Sequence, residues 1–165
     1  MLKELVPFGT TIREVFRHRG EAEDWELLSN IAAILMYKEE DQGLESLTVT
    51  ERHLAAIHAM TAQVNNGGWK QFFSNSSGAL AYDLVPALEA VGSSEFKAIA
   101  TEAVGIFGQI PSLDEDARYD QVERVTEDDE LQPWDSCDDR VFACTEQVEA
   151  LALDYAIRSV GDIDA

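Results

Sequence analysis

The sequence predicts an all-α protein, a compact single-domain multi-helix bundle. Three observations lead there. No segment alternates apolar and polar residues with the period of two that a half-buried strand shows. Apolar residues recur instead at helical spacing in one segment after another. Helix start and stop signals punctuate those segments. The 165 residues suit one domain, and a hydrophobic share of 45% leaves enough for a normal core. No linker or internal repeat interrupts residues 1–165.

The first predicted helix, Glu21 to Tyr37, is apolar on most faces through Trp25, Leu28, Ile31, Ile34, Leu35 and Met36, so it is expected to be largely buried. Thr48 and Glu51 have capping-box spacing, in which a hydroxyl and a carboxylate satisfy free amides at a helix start. The stripe Leu54, Ile57, Thr61, Val64 follows. Asn65-Asn66-Gly67-Gly68 is expected to stop that helix, because Gly and Asn tolerate the left-handed backbone found at helix C-termini. Trp69 to Phe73 is short and aromatic, and Ser76-Ser77-Gly78 reads as a turn. Asp83 is placed to cap a helix with Pro86 in its first turn, burying Leu84, Val85, Leu88 and Val91 and ending at Gly92. Ser93 caps the next, with Phe96, Ile99, Ala100, Ala103 and Phe107 on one side and Gly108 after it. A last helix is expected over about Asp138 to Arg158, with the stripe Val141, Thr145, Val148, Ala152, Tyr155.

Charge is distributed very unevenly. Met1 to Tyr82 carry 11 acids and 7 bases, a net of −4, whereas Asp83 to Ala165 carry 21 acids and 5 bases, a net of −16. The densest block is residues 113–139, with Asp114, Glu115, Asp116, Asp120, Glu123, Glu127, Asp128, Asp129, Glu130, Asp135, Asp138 and Asp139, interrupted only by Arg118 and Arg124. A run of this kind is commonly a solvated tail. Here Tyr119, Val122 and Val125 recur at about helical spacing and Trp134 follows, which predicts a segment docked on the core with its charges held in place. Such a field repels nucleic acid and attracts basic surfaces. Direct binding to nucleic acid is therefore not expected. Glu146 joins the predicted acidic surface from the last helix.

Other chemistry finds little support. His53 and His58 are five apart, which turns them to different sides of a helix, and a zinc-protease helix needs a spacing of four with an intervening Glu. Asp114-Glu115-Asp116 begins like a calcium loop, but Tyr119 and Val125 stand where Gly and Glu are required. There is no nucleophile elbow, phosphate loop or dinucleotide fingerprint. Neither a catalytic residue, a metal site nor a cofactor is expected, and the chain is not expected to be an enzyme. Cys137 and Cys144, on a helical reading, stand two turns or roughly 10 Å apart, too far for a disulfide. Reduced thiols, no apolar run near the roughly 20 residues of a membrane span, and no signal-peptide pattern at the start give a cytoplasmic expectation.

The sharpest local sequence is Asn65 to Gly78: a tight turn, an aromatic helical turn and a second polar turn. Trp69, Phe72 and Phe73 read as core, so a rigid structural corner is the first reading and a polar pocket with Gln71, Asn75 and Ser76 the second. This segment resembles a bacterial family long labelled a domain of unknown function. The family pattern is Asn-Gly-Gly-aromatic-x-Gln-aromatic-Phe-x-Asn-Ser-Ser-Gly. Asn66, Gly67, Gly68, Trp69, Gln71, Phe72, Phe73, Asn75, Ser76, Ser77 and Gly78 match it position by position. The resemblance covers about Thr48 to Gly108 well and the acidic remainder loosely. One member of that family is an acidic, all-helical dimer that mimics DNA and occupies the DNA-reading face of a helix-turn-helix repressor.

The resemblance thus implies a homodimeric DNA mimic whose partner is a helix-turn-helix transcription factor or another basic DNA-binding protein. The charge carries that implication, because the motif by itself does not require mimicry. Helical carboxylates at i, i+3 and i+4 stand about 5–6 Å apart, within reach of side chains that otherwise neutralise phosphates. The alternatives are an acidic immunity-type inhibitor of a basic toxin or nuclease, and a small enzyme built on Asn66 to Gly78.

Overall fold

The computed structural model describes residues 6–127 and 132–159, which contain eight α-helices and no strand. The helices are α1 (Ile12–Val15), α2 (Asp24–Gln42), α3 (Val49–Ser74), α4 (Ala81–Val91), α5 (Ser94–Gly105), α6 (Glu115–Val125), α7 (Asp135–Ala143) and α8 (Val148–Arg158). Short 3₁₀ turns cover Phe16–His18, Leu44–Ser46 and Ser76–Leu80.

The organising element is α3. It packs against α2, α4, α6, α7 and α8, so nearly every helix buries a face on it. Its start is built as the sequence predicts: the Glu51 amide donates to Thr48 Oγ1 at 3.2 Å and the Thr48 amide donates to Glu51 Oε2 at 2.8 Å. Glu51 is fully buried, and Lys38 Nζ from α2 lies 3.0 Å from both its oxygens, so the buried carboxylate has a charged partner. Leu54, Ile57, Met60 and Val64 fill the core below.

The expected stop at Asn65–Gly68 is a kink rather than an end. Gly67 is non-helical and Gly68 has φ +76, after which Trp69 to Ser74 resume helical geometry. Trp69, Phe72 and Phe73 are fully buried and form an aromatic cluster with Phe107 and Trp134. Trp134 donates its indole N–H to the Ala103 carbonyl at 2.9 Å, which fastens the start of α7 onto α5.

Four expectations are corrected. Trp25 and Met36 are not core: they are 59% and 45% exposed, because α2 turns that edge to solvent while Leu27, Leu28, Ile31 and Leu35 face α3 and α8. Asp83 does not cap α4, which starts at Ala81 straight out of the preceding 3₁₀ turn; its carboxylate instead meets Arg52 Nε at 3.4 Å. Pro86 accordingly sits inside α4. The single last helix is two helices, because Cys144 is extended (ψ 132) and Gln147 is non-helical. Tyr119 is 49% exposed; its neighbour Arg118 points inward in its place.

Candidate partner-binding face

The acidic helix α6 is held by two inward side chains, Arg118 and Val122, both fully buried or nearly so. Val122 packs in the common core. The Arg118 guanidinium enters a cage of backbone carbonyls. Its Nε donates to Phe73 O at 2.8 Å, Nη2 to Asn75 O at 2.8 Å, and Nη1 to Ser112 O at 2.8 Å and Leu113 O at 3.2 Å. Burial pushes its pKa down, and Glu115 and Asp114 pull it back up. The five N–H donors of a rigid fork suit this cage, and a lysine could not span it.

The Asn66 to Gly78 motif builds the cage. A Cβ on Gly78 would collide with Arg118 Nε and lie 2.6 Å from Phe73 O. The Gly78 amide donates to Asn75 O at 2.9 Å, and Ser77 Oγ donates to Phe72 O at 3.1 Å, which closes the turn. Gln71 Nε2 and Asn75 Nδ2 both donate to Gln63 Oε1, at 2.7 and 2.9 Å, and so tie the two arms of the kink together. At Gly68 a Cβ would strike the carboxylate of Asp138, whose Oδ1 accepts the Trp69 amide at 2.8 Å. Asn66 and Ser76 are exposed. The side-chain amides of Gln71 and Asn75 are thus committed to internal bonds, as a structural corner requires. Arg118 and Gln63 were not anticipated. An arginine four residues before the apolar Val122, inside an acidic run, is the available signal for the first; nothing in the sequence points to Gln63.

With Arg118 and Val122 turned inward and Val125 packed half-buried against the core, the acids of α6 face solvent. Asp116, Asp120, Glu123 and Glu127 are exposed and follow one another at spacings of four, three and four, which forms a single row along the helix and its C-terminal end. Asp120, Glu123 and Glu127 border one shallow depression with Arg124 and Thr126. Asp114 caps the helix, its Oδ1 accepting the Ala117 amide at 2.9 Å, and exposed Glu115 follows. Lys70 Nζ lies 4.0 Å from Glu123. Asp135 and Asp139 are exposed on α7. Asp128, Asp129 and Glu130 lie outside the described residues.

Two of the predicted surface acids do internal work instead. Asp138 is half-buried beneath Trp69; burial raises its pKa and the Trp69 amide opposes that shift. Glu146 caps α5 from a distance: Ser93 Oγ donates to its Oε2, the Ser94 amide to Oε1 at 3.1 Å, and the Phe96 amide to Oε2 at 3.4 Å. Partial burial raises the Glu146 pKa, but these donors outweigh it and hold the group below its usual value. This bond set explains the break before α8, since residues 144–147 must leave the helix for Glu146 to reach α5. Ser93 thus occupies the N-cap position without itself capping.

Among the described residues no group of three or more His, Cys, Asp or Glu could hold a metal ion, and no helix is long and apolar enough to cross a membrane. Both cysteines are free, and burial raises the pKa of each thiol. No curated protein and no solved structure matches the chain. The DMP19-like protein family model matches residues 45–160, well over half of the sequence, and the chain belongs to that family.

Proposed function

We propose that this protein is a DNA mimic, a non-enzymatic inhibitor that occupies the DNA-reading surface of a helix-turn-helix transcription factor and blocks operator binding. The observation that carries the reading is the row Asp116, Asp120 and Glu123 on a helix fixed to the core by Arg118, with Glu127 just past its end. Acids on a flexible tail attract cations without shape. Acids on a docked helix keep one spacing, about 5–6 Å between neighbours, and so present basic side chains with a fixed ladder of charge. Membership of the DMP19-like family is consistent with this reading. Two copies in a symmetric dimer would offer two such rows to a dimeric repressor. Exposed Tyr119 and Leu113 beside the row would add apolar contact, because charge steers association more than it fixes specificity.

The test is a mobility-shift titration with a basic helix-turn-helix repressor and its labelled operator. The protein should release the operator in proportion to its concentration, and less effectively as salt rises. Charge reversal at Asp116 and Asp120 should slow association and leave the circular dichroism spectrum unchanged. A stable ternary complex with operator still bound would show separate surfaces and end the mimic reading.

A further inference from the structure

A second exposed face lies along α2 and α3, away from the α6 row. The exposed edge of α2 carries Trp25, Ser29 and Met36 at spacings of four and seven, and α3 faces it with Ala55, Ala59 and Ala62 at spacings of four and three. Two cavities, of about 310 and 400 Å³, lie between these lines and adjoin at Ser29 and His58, so together they mark a groove between the two helices. From Trp25 to Met36 the helix rises about 16 Å, three turns of a docked helix. The alanine walls permit the close approach, 8–10 Å between axes, that helix packing needs. The α2 wall lies before residues 45–160, so it falls outside the part of the chain matched by the family model.

We infer that this groove docks an amphipathic helix of a partner protein, apolar on one face and carrying Lys or Arg where that face ends. Charge selects the occupant. The charged side chains bordering the two cavities are carboxylates, Glu39 at one and Glu149 at the other, and neither is bordered by Lys or Arg. His58 between them is neutral near pH 7, since burial lowers its pKa below 6.5 and its Nε2 meets Ser29 Oγ at 3.2 Å. A second copy is disfavoured on the same ground. An isologous contact at this groove sets the patch against itself, which would oppose Glu39 and Glu149 with the same carboxylates of the second copy. The groove-and-helix mode is a common form of recognition. The inference does not rest on the α6 reading.

Trp25 is a built-in reporter, because Trp69 and Trp134 are buried. The probe is a synthetic 18-residue helical peptide with Leu and Ala along one face and Lys at both ends of that face; its twin carries Glu there. Titration of the Lys-ended peptide should shift Trp25 emission to the blue and saturate, and Trp25→Phe should remove the signal. The Glu-ended twin should bind at least tenfold more weakly. Glu39→Lys with Glu149→Lys should reverse that preference. Ala62→Arg, at an exposed position where folding is undisturbed, should abolish the shift, and Ala59→Glu should do the same. Charge reversal at Asp116 and Asp120 should leave it unchanged, which separates this site from the α6 row. No shift, equal binding of both peptides, or a shift unaffected by Ala62→Arg would overturn the inference. So would sedimentation of the protein alone as a dimer that Ala62→Arg dissociates, since a second copy would then fill the groove.

Discussion

At the scale of single residues, Arg118 has the largest structural consequence. Its guanidinium offsets the polarity of four carbonyls that converge on one site, with the bond to Phe73 fully buried. Arg118→Met removes charge-assisted hydrogen bonds and leaves the buried Phe73 carbonyl without its donor, so a loss of about 3 kcal/mol is expected in urea unfolding. Arg118→Lys should recover only part of it, because an ammonium cannot reach both the Phe73–Asn75 and the Ser112–Leu113 carbonyls. A loss below about 1 kcal/mol for the Met variant would show the cage to be solvated. His58 gives a pH signature. Burial depresses its folded pKa below 6.5, so the unfolded chain takes up the proton first. Stability should therefore fall as pH drops below about 7. His53 adds to that slope, its pKa lowered by burial and by Arg52, with Asp83 opposing. Falling pH also relieves repulsion among the acids, so the informative quantity is the difference between wild type and His58→Gln. Denaturation midpoints at pH 7.5 and 5.5 should drop further for the wild type, and parallel changes would refute the assignment.

At the scale of elements, the sequence placed the helices well where their signals are local. The Thr48–Glu51 capping box, the Gly92 stop after α4 and the stripes of α3, α4 and α5 all depend on neighbours within a few residues. It failed where a bond arrives from far along the chain. Glu146 lies about fifty residues from the amides it caps, so nothing local shows that residues 144–147 must unwind. Arg118 was legible as a charge and illegible as an anchor for the same reason: its carbonyl partners Phe73 and Asn75 are more than forty residues away. Of the candidate site, the exposed acids of α6 were legible from composition and period, and the diversion of Asp138 and Glu146 to internal bonds was not. The distant cap is testable. Glu146→Ala should destabilise by about 1–2 kcal/mol, the usual worth of a helix cap. The loss should concentrate in faster hydrogen exchange at the first amides of α5. Because these donors hold the Glu146 pKa below 4.5, the contribution is present above that pH and disappears as pH falls through the folded value. Uniform acceleration across the bundle would instead mean that Glu146 acts through global stability alone.

At the scale of the whole molecule, the charge that would serve binding works against folding. Two like-charge pairs stand along α6, Asp116 with Asp120 and Asp120 with Glu123. Each such pair destabilises a helix by roughly 0.2–0.5 kcal/mol, relieved locally by Arg124 four residues after Asp120 and by Lys70 near Glu123. The net charge of −20 adds a diffuse self-repulsion of the compact state. Salt screens both effects over about 8–10 Å at physiological strength. Raising sodium chloride from 20 to 200 mM should therefore increase the unfolding midpoint, while the same change weakens attachment to a basic partner. Neutralising the row with Asp116→Asn, Asp120→Asn and Glu123→Gln should reproduce both effects at fixed low salt. The variant should gain about 0.5 kcal/mol or more of stability and associate several-fold more slowly with the repressor. Opposite signs in these two readouts are what a surface retained for binding requires. If neutralisation left association unchanged while stability rose, the row would be an unused burden on the fold, and the acids of α7 would be the place to look for the partner's footprint.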